Sequence, residues 1–287
     1  MSSRKSDTMV LPSLFISHGS PMFALSPGIL GPQLSALGRR LPRPRAILVM
    51  SPHTMARALV LTHDAAPETI HDFGGFPPAL YRLQYPAPGA PAVAEEVATL
   101  LGEQGIEARP VDDRGLDHGA WVPLMHLYPG ADIPVVQLSQ PSTPSPLALL
   151  ELGRALAPLR ERGVLVIGSG SLTHNLYDMG LGPAAGDYAA GFAAWVGAKL
   201  AQGDLEALLD YRQQAQDAQR AHPTDEHFLP LFFALGAAGA DWTHVQRIDG
   251  GITDHVLAMD SFVFGDPGNR VEQLDQVDLD FSEIGHD

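Results

Sequence analysis

Leu11-Pro-Ser-Leu-Phe-Ile-Ser-His-Gly-Ser-Pro-Met-Phe23 carries the design on which the rest of the chain is built. Its apolar run, residues 14–16, stops at Ser17, and His18 follows between a serine and a glycine. A short continuous apolar run closed by turn formers reads as a buried strand whose loop presents the histidine at its tip. The pattern recurs twice. Ala46-Ile-Leu-Val-Met50 runs into Ser51-Pro-His53, and Val164-Leu-Val-Ile167 runs into Gly168-Ser-Gly-Ser-Leu-Thr-His174. Three strands thus each deliver a histidine just past the carboxyl end. In open α/β sheets that edge is where loops from different strands converge on a ligand, so the three imidazoles are expected to meet there.

Composition narrows the chemistry. The 287 residues carry a formal charge of −15, which argues against an extended nucleic-acid or anionic-membrane surface, since both require clustered Lys and Arg. There are no cysteines, so disulfides, iron-sulfur clusters and thiolate zinc sites are excluded. Any metal must be held by imidazole and carboxylate, a donor set that suits zinc, iron, copper or nickel. Residues 1–9 are polar and no signal-type apolar stretch follows them. No window approaches the roughly 18 uninterrupted apolar residues of a membrane span. The expectation is a cytoplasmic enzyme or binding protein.

Strand and helix patterns alternate, which predicts an α/β fold: a single domain with a mostly parallel central sheet flanked by helices and a metal site at the carboxyl ends of the strands. Strands are expected at 14–16, 46–50, 57–62, 106–110, 133–138, 164–167 and 261–265. Helices are expected at 32–41, 91–104, from near Trp121, 146–162, 186–201, 204–221 and 228–235, the last capped by Thr224 or Asp225 and stopped by Gly236. His227 would lie in its first turn. Residues 70–89 hold too many Gly, Pro and aromatic residues for a regular element, and a long loop of this kind reads as a wall of the site. The domain is expected to span 10–265, between a flexible N-terminus, 1–9, and an acidic tail, 266–287, that is mobile or packs on a partner subunit in a homo-oligomer.

The 12 histidines differ in context. His63, His244, His255 and His286 lie outside the Gly, Ser and Pro settings and are assigned to surface or packing. His126 sits on an apolar helix and is assigned to the core. Left are His18, His53, His71, His118, His174, His222 and His227, with His227 better oriented than His222, which suits a partner that orients a ligand. There is no His-Glu-x-x-His helix and no Gly-x-Ser-x-Gly elbow. Gly168-Ser-Gly-Ser171 lacks the basic residue a phosphate loop needs.

Six stretches, Ser17-His-Gly-Ser-Pro21, Ser51-Pro-His53, His71-Asp-Phe-Gly-Gly-Phe-Pro77, Leu116-Asp-His-Gly-Ala-Trp121, Gly168-Ser-Gly-Ser-Leu-Thr-His-Asn175 and His222-Pro-Thr-Asp-Glu-His-Phe-Leu-Pro-Leu231, together resemble the class III extradiol ring-cleavage dioxygenases (the LigB superfamily). The branch that looks most similar is the DOPA 4,5-dioxygenase type, and the likeness runs in order from Leu11 to Gly265. The resemblance implies an Fe(II) centre that binds both hydroxyls of a catechol, then O2, and cleaves the ring beside the diol. It implies His18, His53 and His227 as metal ligands, His174 as an acid/base group or a fourth ligand, and His118 as the group that orients substrate or oxygen. His71, Phe73, Phe76 and Tyr81 would then line the substrate, with the aromatic loop stacking on its ring.

One departure matters. Dioxygenases of this kind commonly use two histidines and a carboxylate, whereas the third position here is His227, with Glu226 beside it. Three imidazoles also suit Zn²⁺. A zinc hydrolase using Asp117, Asp72 or Glu226 as base is therefore one rival, and a non-catalytic binding protein on the same fold is another. Oxygen uptake with a yellow product separates the first reading from both.

Overall fold

In the computed structural model, which describes residues 10–185 and 187–266, the run before His18 becomes β1, Ser13–Ser17, buried along its whole length. The strands that follow are β2 (Ala46–Ala56), β3 (Leu59–Thr62), β4 (Ala108–Val111), β5 (Val135–Pro141), β6 (Val164–Gly170), β7 (Val245–Ile248), β8 (Ile252–Thr253), β9 (Leu257–Ala258) and β10 (Ser261–Phe264). One sheet has the order β4-β3-β5-β2-β6-β1-β10-β7, and β8 and β9 form a separate small hairpin. Its centre, β5-β2-β6-β1, is wholly parallel. The flanks add antiparallel pairings of β3 with β5, β10 with β1 and β7 with β10, while β4 runs parallel to β3. A parallel strand is covered on both faces, which is why Ile47 to Met50 and Val164 to Ile167 are all apolar or small and have no exposed surface.

Side chains alternate faces along β6. Gly168 abuts the Pro230 carbonyl of the helix Pro230–Ala237, whereas its neighbour Ser169 bonds the Gly119 carbonyl of the helix His118–Leu127. The two helices therefore cover opposite faces. Glycine also permits close approach between helices: a Cβ at Gly236 would lie 2.0 Å from the Leu150 carbonyl of the helix Pro146–Leu156. Gly236 is thus a packing residue inside the last helix, not its stop.

Other expectations also change. β2 does not end at Met50 but continues to Ala56, with its register against β5 shifting between Ser51 and Met55. Pro52 cannot donate to a ladder, so the strand bends there and resumes, and His53 sits within this irregularity instead of on a loop. The last helix starts at Pro230, whose fixed φ suits a first position, and its cap Leu229 makes no side-chain bond. His227 lies in the preceding turn, closed by the Phe228 N–H on the Asp225 carbonyl. The amphipathic stretch 204–221 divides into Leu205–Leu209, Tyr211–Gln214 and Ala218–Ala221. The polar N-terminus, the tail beyond Asp266, His286, and the first residue of the helix expected at 186–201 lie outside the described residues; within them that helix is Asp187–Gln202. Among the described residues no helix is long and apolar enough to cross a membrane.

Candidate metal centre

Five histidines gather at the carboxyl edge of the central strands. His18 follows β1 and is tied to β6 by its N–H on the Gly170 carbonyl at 2.8 Å. His53 comes from the bent part of β2, His118 opens the helix His118–Leu127, and His174 follows β6, its N–H on the Ala221 carbonyl at 2.8 Å. His227 arrives from the turn before Pro230, and its carbonyl accepts the Ser171 N–H at 2.8 Å. That approach needs glycine at 170, because a Cβ there would lie 2.2 Å from the His227 carbonyl oxygen.

Three of these rings converge. The Nε2 atom of His53 is 3.1 Å from Nε2 of His18 and 3.2 Å from Nε2 of His227. The ring centroids form a nearly equilateral triangle with sides of 5.1, 4.9 and 5.5 Å. Two nitrogens each about 2.1 Å from one ion lie about 3.0 Å apart at a right angle and about 3.4 Å apart at a tetrahedral one. Ligand atoms of His18, His53 and His118 lie within 4.8 Å of one another, as do those of His174, Glu226 and His227. The Nε2 contacts of His53 are much shorter and bridge the two groups.

The protons explain why these nitrogens face one another. The Ser169 hydroxyl donates its single hydrogen to the Gly119 carbonyl, so toward His18 it can only accept, and the His18 Nδ1–H donates to it at 2.9 Å. On the other side of the centre, the His227 Nδ1–H donates to the Glu226 carboxylate at 3.2 Å. His53 turns its Nδ1 toward Asp72, 3.7 Å away. His18 and His227, so held, each turn an Nε2 lone pair toward the Nε2 of His53. Burial, then the neighbouring imidazoles, hold His18 and His227 well below the ordinary histidine value and His53 at about 3, so the rings stay neutral. Neutral imidazoles oriented in this way by outer partners are the kind of group that can hold a cation.

Two further rings flank the triangle. His174 stacks on His227 with centroids 3.5 Å apart and planes 6° apart, and burial holds it at about 4. His118 lies against His53 with centroids 3.9 Å apart. Asp117 caps the helix that His118 opens, accepting the Ala120 N–H and the Thr54 hydroxyl and bonding the Gln137 amide. Burial pushes the Asp117 carboxyl above its ordinary value.

The loop of residues 70–85 contains one short helical turn, Leu80–Arg82. Phe73 sets its ring edge-on to His118, with centroids 5.5 Å apart, while Phe76 and Tyr81 pack on Phe73. The Nε2 of His71 bonds the Leu83 carbonyl at 3.0 Å and its ring packs on Phe73 and Trp121. His222 is wholly buried on the Leu172 carbonyl at 2.9 Å, behind the loop that carries His174. His126 bonds the Phe23 carbonyl, His63 pairs with Asp112 and Glu95, and His244 and His255 are exposed. Sequence reasoning missed Ser169 as a partner of His18. Its signal was the alternation Gly168-Ser-Gly-Ser, which puts Ser169 on the face of β6 opposite Gly168.

Residues 31–256 match the family described as LigB, the catalytic LigB subunit of aromatic ring-opening dioxygenase. The chain is 41% identical to a Beta vulgaris protein named 4,5-DOPA dioxygenase extradiol, over 87% of this chain and 96% of that one. It is also 41% identical to a protein of the same name from Escherichia coli (strain K12), over 79% of this chain and 85% of that one. A crystal structure of an uncharacterized protein from Escherichia coli K12 shares the fold with a TM-score of 0.72 at 33% identity, covering 89% of this chain and 100% of that one.

Proposed function

The chain belongs to the LigB family of aromatic ring-opening dioxygenases, and on that premise we propose that it opens the ring of a DOPA-like catechol beside its diol, with O2 and one divalent metal ion. The observation that carries this reading is the approach of the Nε2 atoms of His18 and His227 to that of His53, at 3.1 and 3.2 Å, beside an aromatic wall. His18, His53 and His227 would hold the ion. When bound, Fe(II) supplies the chelation point for the two catechol oxygens and the O2 chemistry.

The chain's own groups do the rest. A catechol must shed protons to chelate, and His174, neutral at working pH, takes one at its ring nitrogen and returns it as the ring opens. Burial makes it a weak base when the site holds no substrate; an adjacent catecholate raises its proton affinity. His118, held through Nδ1 by Asp72, offers Nε2 as a second acceptor. Phe73, backed by Phe76 and Tyr81, lies along the substrate ring and excludes water.

The zinc-hydrolase reading is less well supported, because each carboxylate it would use as base is committed. Asp72 holds His118, Glu226 holds His227 and Thr224, and Asp117 is buried in its own network. The test is anaerobic loading of metal-free protein with Fe(II) or with Zn²⁺, followed by air and L-DOPA, protocatechuate or caffeate. The reading expects equimolar O2 uptake and a yellow product with iron alone. Absence of O2 uptake from the iron-loaded protein, or substrate hydrolysis without air by the zinc-loaded one, overturns it.

A further inference from the structure

Asp72 is engaged by two donors of one residue distant in sequence. Its Oδ1 accepts the His118 backbone N–H at 2.8 Å, and its Oδ2 accepts the His118 Nδ1–H at 3.0 Å. The same Oδ2 is 3.7 Å from Nδ1 of His53. Next to it, Trp121 on the His118 helix donates its indole N–H to the Ile70 carbonyl at 2.8 Å, so the helix grips the loop at two points. After Phe73 come Gly74 and Gly75, where a side chain would meet nothing within 4 Å. Asp72 thus ties the loop to the helix just before the chain turns through these two open glycines.

We propose that Asp72 is a positioning residue: it fixes the tautomer of His118 so that Nε2 is a proton acceptor, and it seats Phe73 against that ring. One carboxylate thereby assembles the acceptor and the aromatic wall together. The chemistry favours a carboxylate over its amide. Both partners on His118 are N–H donors, and a carboxylate meets both with acceptor oxygens, whereas an asparagine must turn its NH2 group toward one of them. The inference rests on the dioxygenase reading for what the assembled site does, and on hydrogen bonding alone for how it is assembled.

The test compares wild type with Asp72→Asn and Asp72→Ala in full-length protein. Nitrogen-15 NMR of the metal-free forms reports the His118 tautomer, and the iron-loaded forms give kcat, KM and bound iron. Wild-type His118 is expected to carry its proton on Nδ1, and both variants are expected to lose that preference. Their kcat should fall about 10- to 100-fold, the scale for losing an orienting partner, with iron near one per chain. A His118 proton on Nε2 in the wild type overturns the inference even if no variant folds. So does an unchanged tautomer with kcat within twofold in Asp72→Asn. If wild type turns over no catechol while the tautomer behaves as stated, the dioxygenase reading has failed and the positioning by Asp72 stands.

Discussion

The ring of His174 lies flat on that of His227, centroids 3.5 Å apart and planes 6° apart. A histidine ligand holds its ion near the plane of its own ring, and two parallel stacked rings cannot both do so for one ion. This relationship assigns His174 to proton transfer in our proposal, not to the fourth ligand position that the sequence also allowed. His174→Ala should therefore keep about one metal ion per chain while kcat falls about 10²- to 10⁴-fold, the usual scale for losing a general acid or base. Metal analysis beside steady-state kinetics checks this; a variant that no longer retains metal would make His174 a ligand.

Ser169 tests the proton arrangement behind the triangle. Ser169→Ala leaves the His18 Nδ1–H and the Gly119 carbonyl without their partner, and metal affinity should fall about 10- to 100-fold. A competition titration with a chromophoric chelator reads the change. An unaltered affinity would mean that His18 does not depend on this hydroxyl for its tautomer.

Gly119 is a matter of space. A Cβ there would lie 2.2 Å from the Ser51 Oγ, 2.9 Å from the His53 ring and 3.2 Å from the His18 ring. Gly119→Ala should cost about 1–3 kcal/mol of stability through overpacking, and because two of the displaced groups are proposed ligands it should weaken metal binding as well. Urea unfolding and the same chelator titration measure the two effects, and a variant indistinguishable from wild type in both would refute the account of this contact.

Acid should destabilise the metal-free protein through His222. Burial holds this imidazole at about 3, against 6.5 for an ordinary histidine. The folded chain keeps it neutral while the unfolded chain takes up a proton below about pH 6.5, so stability falls as pH drops from about 6.5 toward about 3 and is unaffected by this group above that window. Once the unfolded form is fully protonated the slope from one such group is about 1.4 kcal/mol per pH unit. Gln at this position can still donate to the Leu172 carbonyl, so His222→Gln should flatten the slope between pH 6 and 5. Equal slopes for the two proteins would contradict the burial argument.

The parts of the fold legible in the sequence are those where burial dictates composition. β1, β2 and β6 are covered on both faces, so their apolar runs stood out and located the edge where His18, His53 and His174 collect. Features set by close packing were harder to read. Ser51-Pro52 looked like the end of a strand because proline breaks a ladder, yet the strand resumes beyond it and carries His53 inward. Gly236 looked like a helix stop because its role, contact with the Leu150 carbonyl, belongs to a different helix. His71 was legible as a loop residue by its neighbours in sequence, but that its ring staples the loop to the Leu83 carbonyl was not. Ser169 was overlooked, and Asp72 was read only as a candidate base, because nothing in a linear sequence says which histidine nitrogen a hydroxyl or carboxylate will face.

The most direct measurement of the central claim is X-ray absorption at the iron edge of protein loaded anaerobically with one Fe(II) per chain. The account predicts an iron shell containing three imidazole nitrogens at about 2.1 Å, reduced to two in His227→Ala. A shell of oxygens with one imidazole or none would contradict it.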